Sequence, residues 1–179
     1  MDRIGWLGFA VLAGMLVVLP GATCVPTIVL PAVEIDDGGE TGNNGTPVDG
    51  SSFARQVVDL VNQERAAHGL GALAPNDMLA QAAAEHARRM AELNFFAHTD
   101  PYNGTQPWDR AQAAGYNFVF IGENIAAGLH TPEEVMEAWM NSPSHRENIL
   151  REQISEIGVA VYEGGAYGIY WVQVFGEPW

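Results

Sequence analysis

Two histidines and one glutamate are the side chains of this sequence best suited to chemistry. His98 lies in Asn94-Phe95-Phe96-Ala97-His98-Thr99-Asp100, and His145 in Ser142-Pro143-Ser144-His145-Arg146. Glu123 sits between them in sequence, in Gly122-Glu123-Asn124-Ile125-Ala126. A carboxylate in so apolar a stretch is costly to bury unless paired, so Glu123 calls for a cationic or metal partner. If the three converge, two imidazoles and a carboxylate meet the needs of zinc or a similar divalent ion, with a position open for water. Without metal they form a coupled acid–base set, and His98, Glu123 and His145 are then the candidate catalytic groups. Spacing does not bring them together, because no H-E-x-x-H motif is present.

The remaining candidates carry less. His68 stands at a helix end beside Gly69 and is expected to cap it, His86 lies on an apolar stripe as a hydrogen-bonded core histidine, and His130 is expected to be exposed. Ser142 and Ser144 flank His145, but Ser142-Pro143 reads first as the cap and first turn of a helix. No G-x-S-x-G nucleophile elbow and no phosphate-cradling glycine loop occur.

The elements that must position these residues are legible from periodicity. Ser51 and Ser52 are expected to cap a helix with Phe53, Val57, Leu60 and Val61 on one face, ending at His68-Gly69. A second helix follows Asn76, with Leu79, Ala82, Ala83, His86, Met90 and Leu93 as its stripe. A short helix runs from Pro107 to Ala114 and stops at Gly115. Thr131, Pro132 and Glu134 announce the next, and Ser142-Pro143 opens another that ends at Ile149-Leu150. Ile157-Val159-Val161 and Tyr170-Val172-Val174 alternate about Gly164-Gly165 as a hairpin, and Phe118 to Ile121 makes a third strand. The class is α+β, with helices covering an antiparallel sheet.

The chain of 179 residues divides into a leader, a spacer and this domain. Residues 4–19 are apolar and uncharged, shorter than the roughly 20 residues of a spanning helix and suited to a secretory signal. Small residues then precede Cys24, the sole cysteine. The leading expectation for residues 1–24 is a lipoprotein-type signal lipidated at Cys24, with an ordinary cleaved signal or an uncleaved anchor as alternatives. Residues 25–52, rich in proline, glycine and acids, read as a flexible acidic tether, and residues 53–179 as the domain. With 8 basic residues against 22 acidic ones the net charge is −14, the wrong sign for binding nucleic acid phosphates.

The ordered series Asn62-x-x-Arg65, Leu70-x-x-Leu73, His98, Arg110 with Gly115-Tyr116, Gly122-Glu123-Asn124-Ile125-Ala126, Trp139-x-x-Ser142-Pro143-x-His145-Arg146-x-Asn148-Ile149-Leu150, Gly158-Val159 and Tyr170-Trp171-x-Gln173-x-Phe175 resembles the bacterial branch of the CAP (SCP-like) superfamily. The resemblance implies an α-β-α sandwich with a central cleft, in exported proteins. In the superfamily's eukaryotic members the cleft holds two histidines and two glutamates, and some bind a divalent cation. His98 matches the first histidine and Glu123 the first glutamate. Ser142 stands where the second glutamate falls and Tyr170 about where the second histidine falls, while His145 returns an imidazole nearby. The resemblance therefore implies a cleft of His98, Glu123, Ser142, His145 and Tyr170, with His98, Glu123 and His145 as metal candidates. It implies an exported protein that takes a small-molecule, lipid or envelope ligand or a divalent ion such as zinc, and Cys24 adds the expected membrane tether. Its rivals are a metal-assisted hydrolase using the same cleft and a non-catalytic envelope adhesion module.

Overall fold

The computed structural model describes residues 50–179. Cys24, the expected leader and nearly all of the expected tether lie outside the described residues. Nine elements follow in order: α1 (Gly50–Ala67), β1 (Ala74–Pro75), α2 (Asp77–Glu92), α3 (Pro107–Ala113), β2 (Phe118–Ala127), α4 (Pro132–Asn141), α5 (Pro143–Ile149), β3 (Glu156–Glu163) and β4 (Ile169–Pro178). Helix α1 already includes Gly50, so Ser51 and Ser52 sit inside it instead of capping it. The expected strand at Phe118 continues through Ala127 and carries Glu123 within the sheet. The two-residue β1 was not expected from the pattern, being too short to show a period.

The sheet runs β1-β3-β4-β2, with β1 parallel to β3 and the other pairs antiparallel. Side chains alternate across a strand, so β4 offers Tyr170, Val172 and Val174 to one face and Trp171, Gln173 and Phe175 to the other. Every one of these six is buried, because helices cover both faces. On one side lie Leu79, Ala83, Ala87 and Met90 of α2, and on the other Val57 and Val61 of α1 with Val135, Met136 and Trp139 of α4. Each large apolar side chain removed from water here is worth about 1.5–3 kcal/mol.

Helix α2 approaches the sheet closely because its inner face is largely alanine and because β3 carries Gly158 beneath it. A Cβ at Gly158 would lie 2.1 Å from the backbone of Leu79 and Ala80. The caps act as the sequence indicates. Asn76 accepts from the amides of Met78 and Leu79, and Thr131 and Glu134 form a reciprocal box ahead of Pro132. Arg65, buried on α1, ties together the loop carbonyls of Gly71 and Arg151 and that of Ile149 at the end of α5.

Strand β2 pairs only with β4, which leaves one row of its carbonyls without a strand partner. Trp139 Nε1 donates to the Ile125 carbonyl at 3.2 Å, and Asn148 Nδ2 to that of Glu123 at 3.3 Å. The open edge is thus covered by α4 and α5, and this brings His145 beside the strand that bears Glu123.

Candidate functional site

Glu123 stands opposite Val174 in the β2–β4 register, and its side chain is 1% exposed. Burial of a full negative charge is tolerated only because both oxygens are occupied. Arg110 of α3 donates from Nη2 to Oε2 at 2.7 Å, and His98 donates from Nδ1 to Oε1 at 2.9 Å. The same guanidinium binds the carbonyls of His98 and Thr105, at 3.0 and 3.1 Å. Arg110 therefore neutralises Glu123 and clamps the loop that carries its other partner.

That loop is fixed from several directions. It leaves α2 through Asn94, whose φ of 55° is left-handed, a conformation asparagine accepts more readily than most residues. Asp100, fully buried, pairs with Arg89 and accepts from the Tyr102 amide at 2.8 Å. The Arg89 guanidinium holds the Asp100 carboxyl below its ordinary pKa. From within the core, His86 Nε2 donates to the Ala97 carbonyl at 2.9 Å and lies 3.8 Å from Glu123 Oε1. Burial lowers the His86 pKa to about 4, outweighing the attraction of Glu123. His86 is a neutral donor there, not an ion-pair partner.

The opposite face of β2 carries a second polar network. Asn124, fully buried, donates to the His145 carbonyl and to Gln173 Oε1, each at 3.1 Å, and accepts from Asn148 Nδ2 at 2.9 Å. These bonds hold α5, and with it His145, against the strand. Burial is the first cause of a lowered His145 pKa and the nearby His98 imidazole the second.

His98, Glu123 and His145 are accordingly brought to one stretch of β2, with the glutamate bonded to His98 directly. Ser142 is buried at the α4–α5 junction, its Oγ 3.5 Å from Ser144 Oγ. Tyr170 is not drawn in. It is fully buried in the α2-side core against Tyr167, and in the register it faces Ala127, four residues along β2 from Glu123 or roughly 13 Å by strand rise. His68 stays at its own helix end, a ring nitrogen 2.8 Å from the Glu64 carbonyl, and His130 is exposed. Two hollows of about 380 and 360 Å³ lie elsewhere, between α4 and α5 around Arg146 and beside Tyr116 and Glu156.

His86 and Arg110 are the partners that spacing did not reveal. The need of Glu123 for a cation was readable, but no local pattern selected Arg110 from the arginines. Chemically, the carboxylate fixes the His98 ring with Nδ1 protonated and leaves the Nε2 lone pair as an acceptor, base or ligand on a side chain 35% exposed. Neither Ser142 nor Ser144 is hydrogen-bonded to His98 or His145. Among the described residues no three histidine, cysteine, aspartate or glutamate side chains are grouped as a metal-ligand set. A cation bound through Glu123 would have to reach a carboxylate that is 1% exposed and already accepts from Arg110 and His98.

Residues 58–175 match the family model described as the cysteine-rich secretory protein family, CAP. The chain is 40% identical over 125 residues to the uncharacterized protein YkwD of Bacillus subtilis, covering 70% of this chain and 47% of YkwD. It thus spans about half the length of that relative. An extracellular protein containing an SCP domain from Bacillus anthracis superposes with a TM-score of 0.65 at 33% identity, covering 76% of this chain and 45% of that one. An outer surface protein of Borrelia burgdorferi superposes with a TM-score of 0.68 at 26% identity, covering 74% of this chain and 97% of that one.

The contacts around Glu123 set measurable stabilities. Replacing Arg110 with methionine leaves buried Glu123 with His98 alone and one oxygen unanswered, and should cost about 3–5 kcal/mol in urea unfolding; adding Glu123→Gln should recover part of it. Stability should also fall on acidification. The unfolded chain protonates position 86 near the ordinary histidine value of 6.5, whereas the folded state resists down to about 4. The loss therefore accumulates between these pH values, reaching ~3 kcal/mol for a shift of this size. His145, also lowered, adds in the same direction. Calorimetric unfolding across this range should show a shallower pH slope for His86→Gln.

Proposed function

The chain belongs to the cysteine-rich secretory protein (CAP) family, and we propose that it is an exported binding module whose cleft holds an envelope ligand at His98. The observation that carries this reading is the burial of Glu123 with a partner on each oxygen. With one oxygen taken by Arg110 and the other by His98, the carboxylate serves to orient an imidazole and not to receive a ligand itself. The outward Nε2 lone pair suits a hydroxyl or amide donor, the groups that glycans and peptides of a cell envelope present. His145 and Ser142 stand on the other side of the same strand edge as further polar contacts. The charge of −14 disfavours a strongly anionic ligand.

Tethering at the membrane surface through residues 1–24, with a lipid on Cys24, accords with relatives described as extracellular and outer-surface proteins. The metal-assisted hydrolase is less well supported, because a divalent ion on His98, Glu123 and His145 would have to reach a carboxylate that is 1% exposed and already bonded to Arg110 and His98.

Ring signals of His98 in the full chain should move in NMR titrations with soluble peptidoglycan fragments, and His98→Ala should weaken that binding at least about tenfold, the weight of one charge-supported hydrogen bond. A zinc titration runs beside it. Zinc binding lost in both His98→Ala and Glu123→Gln, with no response to the fragments, would replace the binding reading with the metal one. Mass spectrometry of the mature N-terminus should find a lipid on Cys24; a bare cysteine ends the lipid tether.

A further inference from the structure

His86 costs the core something that packing alone does not ask for. Its position on α2 is fully buried beside Leu79, Ala83 and Met90, where an aliphatic side chain of similar volume would fit the stripe. The Ala97 carbonyl can only accept, so Nε2 carries the ring proton. The other nitrogen, Nδ1, is then a buried acceptor with no hydrogen-bond partner among the described residues. An unsatisfied buried nitrogen is a penalty, and it needs an offsetting role.

Both polar contacts of the ring lead to the cleft. Its N–H holds the carbonyl of Ala97, the residue that precedes His98, and the same nitrogen stands 3.8 Å from the Glu123 oxygen that receives His98 Nδ1. Phe95 packs at 5.9 Å between ring centroids and limits the swing of the imidazole. We propose that His86 is a positioning residue for His98, acting from inside the core through the Ala97 carbonyl and through the Glu123 oxygen that both imidazoles approach.

The chain of contacts is short. The donor at position 86 sets the peptide before His98, which aims the His98 ring so that Nδ1 and not Nε2 meets the carboxylate. The electropositive N–H edge of His86 near Oε1 keeps that oxygen directed toward the loop, while Arg110 holds the other. Glu123 from β2, Arg110 from α3 and His98 from the loop are the charged and titratable groups that face the ring, and all three belong to the cleft. The inference rests on the reading that His98 is the ligand-facing group, but its test does not.

The readout is the tautomer of His98, from ring nitrogen shifts of the full chain near neutral pH. In the wild type the Nδ1-protonated form should dominate. His86→Gln, whose amide can donate to Ala97, should retain it. His86→Leu fills the space without a donor and should lower the tautomer ratio about fivefold, the weight of one lost hydrogen bond. Should the leucine variant not fold, His86→Asn, whose amide stops short of the carbonyl, supplies the same comparison. An unchanged His98 tautomer in a folded variant that lacks the donor overturns the proposal. A tautomer that responds in a protein that binds no envelope fragment keeps the positioning role and removes the proposed function instead.

Discussion

The burial of one carboxylate governs this half of the molecule. Glu123 points from the sheet into a core where an unpaired charge would be untenable, so everything around it is arranged to satisfy its two oxygens. Arg110 answers one, which requires α3 to start where it does and the loop before it to fold back under Gln106 and Thr105. His98 answers the other, which requires that loop to be held by Asp100, Arg89 and the core imidazole of His86. A site on a loop is ordinarily imprecise. Here the loop inherits its rigidity from an electrostatic requirement of the core.

A second constraint is the edge of β2. The strand has one neighbour, and its outward carbonyls are met by side chains of α4 and α5 rather than by another strand. Asn124, next to Glu123 but on the other face, uses its amide and its carbonyl oxygen to hold α5. Consecutive residues of one strand thus organise two polar networks, the carboxylate toward α2 and α3, the amide toward α5. The alternation of a strand makes this possible, since residues 123 and 124 must point in opposite directions.

Much of the fold was legible because its signals are local. The capping box at Thr131, the proline starts at Pro107, Pro132 and Pro143, and the alternation around Gly164-Gly165 each act within a few residues, and each element formed where its signal stood. The differences are the short β1, which no period marks, and two boundaries: α1 includes Gly50, and β2 runs on to Ala127. The extension of β2 follows its pairing with β4, which continues from Gly122 to Ala127. The site was half legible. His98, Glu123 and His145 stood out by residue type and company, whereas Tyr170, placed in the cleft by resemblance to a motif position, is committed to the core beneath α2.

By itself the sequence determined an acidic, cysteine-poor α+β domain following an apolar N-terminal stretch, a glutamate in need of a cation, and a family likeness dense enough to name. Only the tertiary structure decided which cation that is, and that His86 stands behind the site as well as in the core. The reason is physical. Propensity, capping and alternation are written between neighbours in the chain, but a buried charge is satisfied by whatever the packing brings within about 3 Å. Thirteen residues separate Arg110 from Glu123 and twenty-five separate His98 from it, and no local rule spans those distances.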